Sequence, residues 1–133
     1  ATNRLILGCQ STTIPDSVTS IGARAFDGCT SLTSVTIPDS VTEIGDRAFE
    51  LCLSLTSVTI GNGVTSIGDD AFYNCTSLAS VYCKPTTPPA GGSAMFSYNA
   101  SGRKIYVPRA SVDAYKSASY WSDYSSYIVG YDF

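Results

Sequence analysis

Apolar residues recur along this chain at a fixed spacing of 23 positions. Three copies follow one another without a gap and read IPDSVTSIGARAFDGCTSLTSVT, IPDSVTEIGDRAFELCLSLTSVT and IGNGVTSIGDDAFYNCTSLASVY, at 14–36, 37–59 and 60–82. A degenerate copy occupies 83–106 if one extra residue is allowed within 85–93, and a partial copy precedes the first. The fold is therefore expected to be built from one repeated unit.

Each copy contains one segment with the two-residue alternation of a half-buried strand. In LTSVTI, Val35 and Ile37 are predicted to point inward, and Ser34 and Thr36 outward. A turn follows, written Pro-Asp-Ser in two copies and Gly-Asn-Gly in the third. The segment AF-x-x-C then predicts a short helical turn, because its Phe and Cys are three residues apart and share a helical face.

The period of 23 residues, with Leu and Val at fixed offsets, predicts a leucine-rich repeat solenoid of the α/β class. Each repeat contributes one short strand and one short helical turn, with Asp46 and Asp69 near the start of that turn, where the helix dipole favours anions. Stacking places Phe26, Phe49 and Phe72 in one ladder about 4.8 Å apart. Stability then comes from the contacts between neighbouring repeats.

The two ends of the array need caps, and the whole chain, 1–133, is predicted to form one domain. Residues 1–13 are interpreted as an N-terminal cap and partial repeat, with a hairpin-like strand through Leu5, Ile6 and Leu7. Residues 107–133 are interpreted as a C-terminal cap, in which Ser111 N-caps a helix and aromatic residues form a lid over the last repeat.

Composition and charge exclude several classes of function. Charged residues make up 14% of the chain and the formal net charge is −3, without basic runs, which argues against a nucleic-acid partner. No apolar stretch approaches the length of a membrane span. Because the chain begins Ala-Thr-Asn without Met, we expect a mature form or an expression fragment.

The sequence offers no set of residues for catalysis or metal binding. It contains no histidine, which rules out Ser-His-Asp and Cys-His arrangements, and it lacks a C-x-x-C motif. All five cysteines fall at core positions of the repeat, so we expect buried free thiols, no metal and no cofactor. Asp69 and Asp70 are consecutive and diverge in direction, which favours solvated surface over an acid–base pair. The chain is therefore predicted not to be an enzyme.

A few residues break the pattern on the outward side of the strands. Most outward positions carry small hydroxyl side chains: Ser34, Thr36, Ser57, Thr59 and Ser80. Toward the C-terminal end they change to Tyr82, Lys84, Lys104 and Tyr106, which are the first candidates for a binding face because aromatic side chains anchor interfaces. The alternative is that the two tyrosines pair across strands and shield the sheet near the cap.

The pattern IP-x-SVT-x-IG-x-x-AF-x-x-C-x-x-L-x-x-V resembles the BspA-like leucine-rich repeats of bacterial surface proteins, which are abundant in gut and oral Bacteroidetes. The tail KIYVPRASVDAYKSASYWSDY is similar to the segment that closes such arrays. The fourth copy departs from the pattern at Asn99 and Gly102, where the family has Cys and Leu. The resemblance implies a secreted or surface-anchored protein used for adhesion, and it brings no catalytic residues.

We therefore expect an extracellular module on the exterior of the outer membrane that recognises a protein or glycan on host or bacterial surfaces as a monomer. Two alternatives stay open: a non-binding spacer that displays another domain of a larger surface protein, and a carbohydrate-binding accessory module.

Overall fold

Two parallel β-sheets run along the repeat array in the computed structural model, which describes residues 4–5 and 14–133. The first sheet consists of four two-residue strands in the order β1-β2-β4-β6: Arg4–Leu5, Ser20–Ile21, Glu43–Ile44 and Ser66–Ile67. The second sheet has the order β3-β5-β7-β8-β9 and is built from Ser34–Ile37, Ser57–Ile60, Ser80–Cys83, Lys104–Pro108 and Ile128–Tyr131. The predicted leucine-rich repeat fold is confirmed.

The repeat period sets the register of the second sheet. Val35 pairs with Val58, and Val58 with Val81, each one repeat further along. The extra residue of the fourth repeat lies within the predicted range, because Cys83 still pairs with Ile60 whereas Ala90 pairs with Ser66, one position later. The inward and outward alternation also holds, with Val35 and Ile37 buried and Ser34 and Thr36 exposed.

The core is an uninterrupted column of phenylalanine rings with aliphatic side chains around it. Phe26, Phe49, Phe72 and Phe96 stack with centroid separations of 4.7, 4.9 and 5.4 Å, and none exposes more than 1% of its surface. Phe96 belongs to the degenerate fourth repeat, so that repeat continues the core as the sequence predicts.

The segment between the two sheets is a pair of successive turns instead of the predicted helical turn. In the second repeat the Ala48 N–H donates to the Gly45 carbonyl of the same repeat, whereas the Phe49 N–H donates to the Ala71 carbonyl of the next repeat. Arg47 and Leu51 adopt positive φ angles of 57° and 61°, which allow successive N–H groups to point alternately to the same repeat and to the next one. A helix would satisfy its N–H groups internally. Here every second N–H links neighbouring repeats instead.

The N-terminal strand differs from the hairpin that the sequence suggests. Arg4–Leu5 pairs in parallel with Ser20–Ile21, so it extends the first sheet in the same direction as the other strands. Ile6 and Leu7, which we also assigned to this strand, lie outside the described residues, as does Cys9.

The C-terminal cap is attached through the loop that contains the extra residue. It comprises the 3-10 turn Arg109–Ser111, helix α1 (Val112–Ser117) and the 3-10 segment Trp121–Tyr127. Three side chains donate to carbonyl oxygens of 85–89. These bonds are Ser111 Oγ to Thr86 at 2.7 Å, Tyr115 Oη to Pro85 at 2.6 Å and Trp121 Nε1 to Pro89 at 2.8 Å.

Helix α1 begins directly after Ser111, as predicted, but the capping role assigned to that residue is wrong. Its hydroxyl makes no capping hydrogen bond, because it is engaged with Thr86 of the loop. The aromatic lid is present: Trp121 is fully buried and lies 5.8 Å from Phe96, the last ring of the column.

Candidate functional site

The outward side of the second sheet, hereafter the strand face, carries all nine residues that the sequence predicts for binding. The strand register arranges eight of them in two rows: Ser34, Ser57, Ser80 and Lys104 in one, and Thr36, Thr59, Tyr82 and Tyr106 in the other. Lys84 follows β7 directly. The structure thus brings the candidates to one surface, and their role in binding stays a prediction.

The two lysines do not form a pair on this surface. Lys104 begins β8 and lies opposite Ser80, at the start of β7, whereas Lys84 lies beyond the end of β7. The tyrosines occupy the space between them. The four exceptional residues therefore form a tyrosine pair with a cation at each end of the strands.

Tyr82 and Tyr106 stack with a centroid separation of 4.9 Å and an interplanar angle of 13°. Tyr131 lies 5.5 Å from both rings at 66°, and Phe133 lies 4.8 Å from Tyr131. Tyr131 and Phe133 are 41% and 51% exposed. We call these four side chains the aromatic cluster.

Sequence reasoning missed Tyr131 and Phe133, which were assigned to the lid. They reach the strand face because Ile128–Tyr131 forms β9 and pairs in parallel with β8. The adjacent β-branched residues Ile128 and Val129 were the signal available in the sequence, since such residues are enriched in strands. It was overlooked because this segment lies outside the repeats.

An ion pair joins the segment after β9 to the cap. The Arg109 guanidinium contacts the Asp132 carboxylate, which raises the pKa of Arg109. Both side chains are largely exposed, so the pair is solvent-screened and weak.

Three adjoining cavities border the strand face, and Lys84 lines all of them. The first, about 430 Å³, is hereafter called the slot and is lined by Thr36, Thr59, Tyr82, Lys84, Tyr131 and Phe133. The others measure about 330 and 660 Å³ and extend past Asp39 and Asn62. Together they form a groove along the ends of the strands.

The cysteines are core residues, with one correction to the expectation. Cys52, Cys75 and Cys83 are buried and free. Burial raises the pKa of the Cys83 thiol to about 12, and its sulfur lies 3.4 Å from Tyr115 Oη. Cys29 is disulfide-bonded, so the prediction of a free thiol is wrong there. The repeat column indicates burial of this residue but not its oxidation state.

The cysteine column has a hydrogen-bonding role that Asn99 continues in the fourth repeat. Cys52 Sγ donates to the Phe26 carbonyl at 3.1 Å, and Cys75 Sγ to the Phe49 carbonyl at 2.9 Å. Asn99 Nδ2 donates to the Phe72 carbonyl at 2.9 Å. The departure from the pattern at this position therefore preserves the contact between repeats.

Replacing Asn99 with alanine is expected to lower the free energy of unfolding by about 1–3 kcal/mol, because the Phe72 carbonyl loses its side-chain donor. Urea denaturation followed by circular dichroism measures the change. Thr30→Ala, at an exposed site, serves as the control and should change stability by less than about 0.5 kcal/mol. Equal stability of the two variants would refute the structural role of Asn99.

Asp69 and Asp70 are occupied by structural contacts. Asp69 Oδ1 accepts the backbone N–H of Ser93 at 2.8 Å, as Asp46 Oδ1 accepts that of Asp69 at 2.9 Å. The Asp70 carboxylate lies 3.6 Å from Arg47 Nε. These carboxylates link successive repeats, a role different from the helix-dipole interaction that we predicted for Asp46 and Asp69.

The described part of the chain has neither a metal site nor a membrane-spanning helix. No cluster of three or more His, Cys, Asp and Glu side chains in residues 4–5 and 14–133 is arranged to hold a metal ion. Within the same residues, no helix has the length and hydropathy of a membrane span.

The model of the BspA type leucine rich repeat region matches residues 7–125 in six copies. The chain belongs to this family. Leucine-rich repeat families are generally binding modules without enzymatic activity. No curated protein matches the chain.

Two crystal structures of bacterial leucine-rich repeat proteins resemble this member of the family. A protein from Bacteroides capillosus is 28% identical with a TM-score of 0.63, and the alignment covers 80% of this chain and 77% of that one. A protein from T. pallidum is 25% identical with a TM-score of 0.57, over 74% of this chain and 58% of that one.

Proposed function

We propose that this chain is an extracellular adhesion module of a bacterial cell surface that recognises proteins on host or other cells through its strand face. The observation that carries the proposal is the aromatic cluster, a group of four partly or largely exposed rings on a surface otherwise made of serine and threonine hydroxyls and two lysines. Exposed aromatic side chains with a polar surround are the usual composition of an interface anchor.

The position of the tyrosine pair supports recognition over edge protection. Tyr82 lies on β7 and Tyr106 on β8, whereas β9 forms the end of the sheet. The core beneath them is already sealed by Val81 and Ile105, both fully buried. Shielding of the sheet edge therefore does not require these two rings.

The extracellular location rests on two features of the chain. Disulfides such as the one at Cys29 form and persist mainly in oxidising compartments. A charged content of 14% with abundant hydroxyl side chains is also typical of extracellular surfaces. The surface-associated character of the family agrees with both.

The test is the double variant Tyr82→Ser, Tyr106→Ser. It is expected to abolish binding to immobilised extracellular-matrix proteins and to host cells, while the free energy of unfolding falls by no more than about 1 kcal/mol, the usual contribution of a cross-strand aromatic pair. Tyr98→Ser is the matched control, because Tyr98 is 67% exposed but packs on Tyr73, away from the strand face.

Two results would contradict this proposal. Full binding by the double variant would show that the strand face is not the contact surface. A large loss of stability in parallel with binding would assign the tyrosines to the cap. If the wild-type module shows no saturable binding to any matrix protein or cell, the alternative of a display spacer is the better account.

A further inference from the structure

Among residues 4–5 and 14–133, no aromatic ring other than Tyr106 stacks on the Tyr82 ring, so one of its faces is without a ring partner there. Tyr106 stacks on the other face, and the Tyr131 ring is inclined at 66° to both rings, with its centroid 5.5 Å from each. The free face is turned toward β5, where the residue in the same row is Thr59. The slot lies next to this free face of Tyr82 and is lined by Thr59 and Thr36.

The slot therefore has the position of a missing ring in the tyrosine stack. Neighbouring strands are about 4.8 Å apart, so a ring above Thr59 would continue the spacing of the pair. The slot is a shallow depression of about 430 Å³ that is largely open to solvent. A flat six-membered ring matches the space between Tyr82 and the threonine row.

The polar groups around the slot carry charges of both signs. Lys84 contributes an ammonium group, and Asp39 and Asp16, which line the adjoining cavity with it, contribute carboxylates. Thr36 and Thr59 add hydroxyls that both donate and accept hydrogen bonds. The cavity that adjoins the slot thus offers charged donors and charged acceptors, and Asp39 Oδ1 there also accepts the Asn62 N–H at 2.7 Å.

We infer that the slot binds a neutral pyranose ring, so that the partner of the strand face is recognised through its glycan. A pyranose presents an axial C–H face, whose partial positive charge suits the negative face of an aromatic ring. Its edge carries hydroxyl groups that donate to Asp39 and accept from Lys84, and hydrogen bonds to charged groups are the stronger ones. This inference rests on the proposed function and names the ligand class of the same site.

The local charges favour a neutral sugar over an acidic one or an acidic peptide. Lys84 shares its surroundings with two carboxylates, so an anionic ligand gains attraction to one cation and meets repulsion from Asp16 and Asp39. The Arg109 charge, at the far end of the groove, is already paired with Asp132. A neutral polyhydroxyl ligand uses both kinds of group without that conflict.

The decisive variant is Thr59→Tyr, which would place a tyrosine ring in the slot as the next member of the stack. It removes no aromatic contact and is expected to fold normally, because cross-strand aromatic pairs stabilise sheets. The probes are neutral trisaccharides of glucose, galactose, mannose and N-acetylglucosamine, with sialyllactose and a glucuronate trisaccharide as acidic arms. Affinities are measured by isothermal titration calorimetry.

The wild-type module is expected to bind at least one neutral trisaccharide, and Thr59→Tyr to bind it at least about tenfold more weakly, since a filled slot excludes the sugar and leaves the stacking unused. Ser77→Tyr is the control, because it adds the same ring at an exposed position outside the strand face and outside the slot. It should bind with wild-type affinity.

The inference would be overturned if no trisaccharide bound, if only the acidic probes bound, or if Thr59→Tyr bound as tightly as the wild type. A second experiment distinguishes failure of the glycan inference from failure of the proposed function. Binding to an immobilised glycoprotein is compared before and after enzymatic removal of its glycans. Equal binding to both forms refutes the glycan while leaving protein recognition intact, whereas failure to bind any protein or cell refutes the proposed function itself.

Discussion

Replacing Phe49 with alanine is expected to lower the free energy of unfolding by about 3–5 kcal/mol, the usual cost of removing a buried phenylalanine. The ring exposes none of its surface and stacks at 4.7 Å on Phe26 and at 4.9 Å on Phe72. Because repeats are stable only through their neighbours, a cavity here weakens two interfaces at once.

Urea denaturation of the variant, followed by far-ultraviolet circular dichroism, measures this loss. Phe133→Ala is the control, since Phe133 is 51% exposed and lies outside the core, and its effect should stay within about 0.5 kcal/mol. A Phe49→Ala variant within 1 kcal/mol of the wild type would refute the phenylalanine column as the main source of cohesion between repeats.

The second large effect is expected for Gly68→Ala, which should cost more than about 3 kcal/mol, at the upper end for overpacking. A Cβ at Gly68 would lie 2.5 Å from the backbone nitrogen of Asp46 and 2.7 Å from the carbonyl carbon of Gly45. These are backbone atoms of the preceding repeat, so the clash is relieved only if two repeats move apart.

Gly28→Ala is the matched control for this prediction. Gly28 has a positive φ of 72°, but a Cβ there would meet no atom within 4 Å, so only the cost of the left-handed conformation remains, about 1–2 kcal/mol. Thermal unfolding of both variants gives the comparison. If Gly68→Ala is no less stable than Gly28→Ala, close approach of the repeats is not what requires glycine at this position.

The repeat period predicted most of the packing, because residues one period apart occupy equivalent places. The phenylalanine column, the strand register and the extra residue before Ala90 all follow from this equivalence. The hydrogen bond of Asn99 also follows from this equivalence, since Asn99 occupies the cysteine position and donates to the Phe72 carbonyl as the cysteines donate to the other phenylalanine carbonyls.

The period does not reveal the backbone path within a repeat. The left-handed residues Arg47 and Leu51 are determined by hydrogen bonds between repeats, and neither side chain favours a positive φ on its own. The two-residue strands of the first sheet were missed for a similar reason. Segments such as Ser20–Ile21 are too short to show an alternation of apolar and polar residues.

The candidate site was only partly predictable. The stacking of Tyr82 on Tyr106 follows from their equivalent positions in neighbouring repeats. Tyr131 is brought to the same surface by a strand outside the repeats, so the period carries no information about it. The disulfide at Cys29 could not be predicted from the repeat period either, because a core position suits a free thiol and a half-cystine equally well.

Most residues of the repeats build the solenoid, whereas we propose that the few exceptions on the strand face recognise a partner. The most direct measurement is adhesion of a variant in which the exceptions revert to the residues of the preceding repeats: Tyr82→Thr, Lys84→Gly, Lys104→Ser and Tyr106→Thr. We predict that this variant unfolds like the wild type and no longer binds host cells, extracellular-matrix proteins or trisaccharides. Undiminished binding by a correctly folded reverted variant would contradict the central claim.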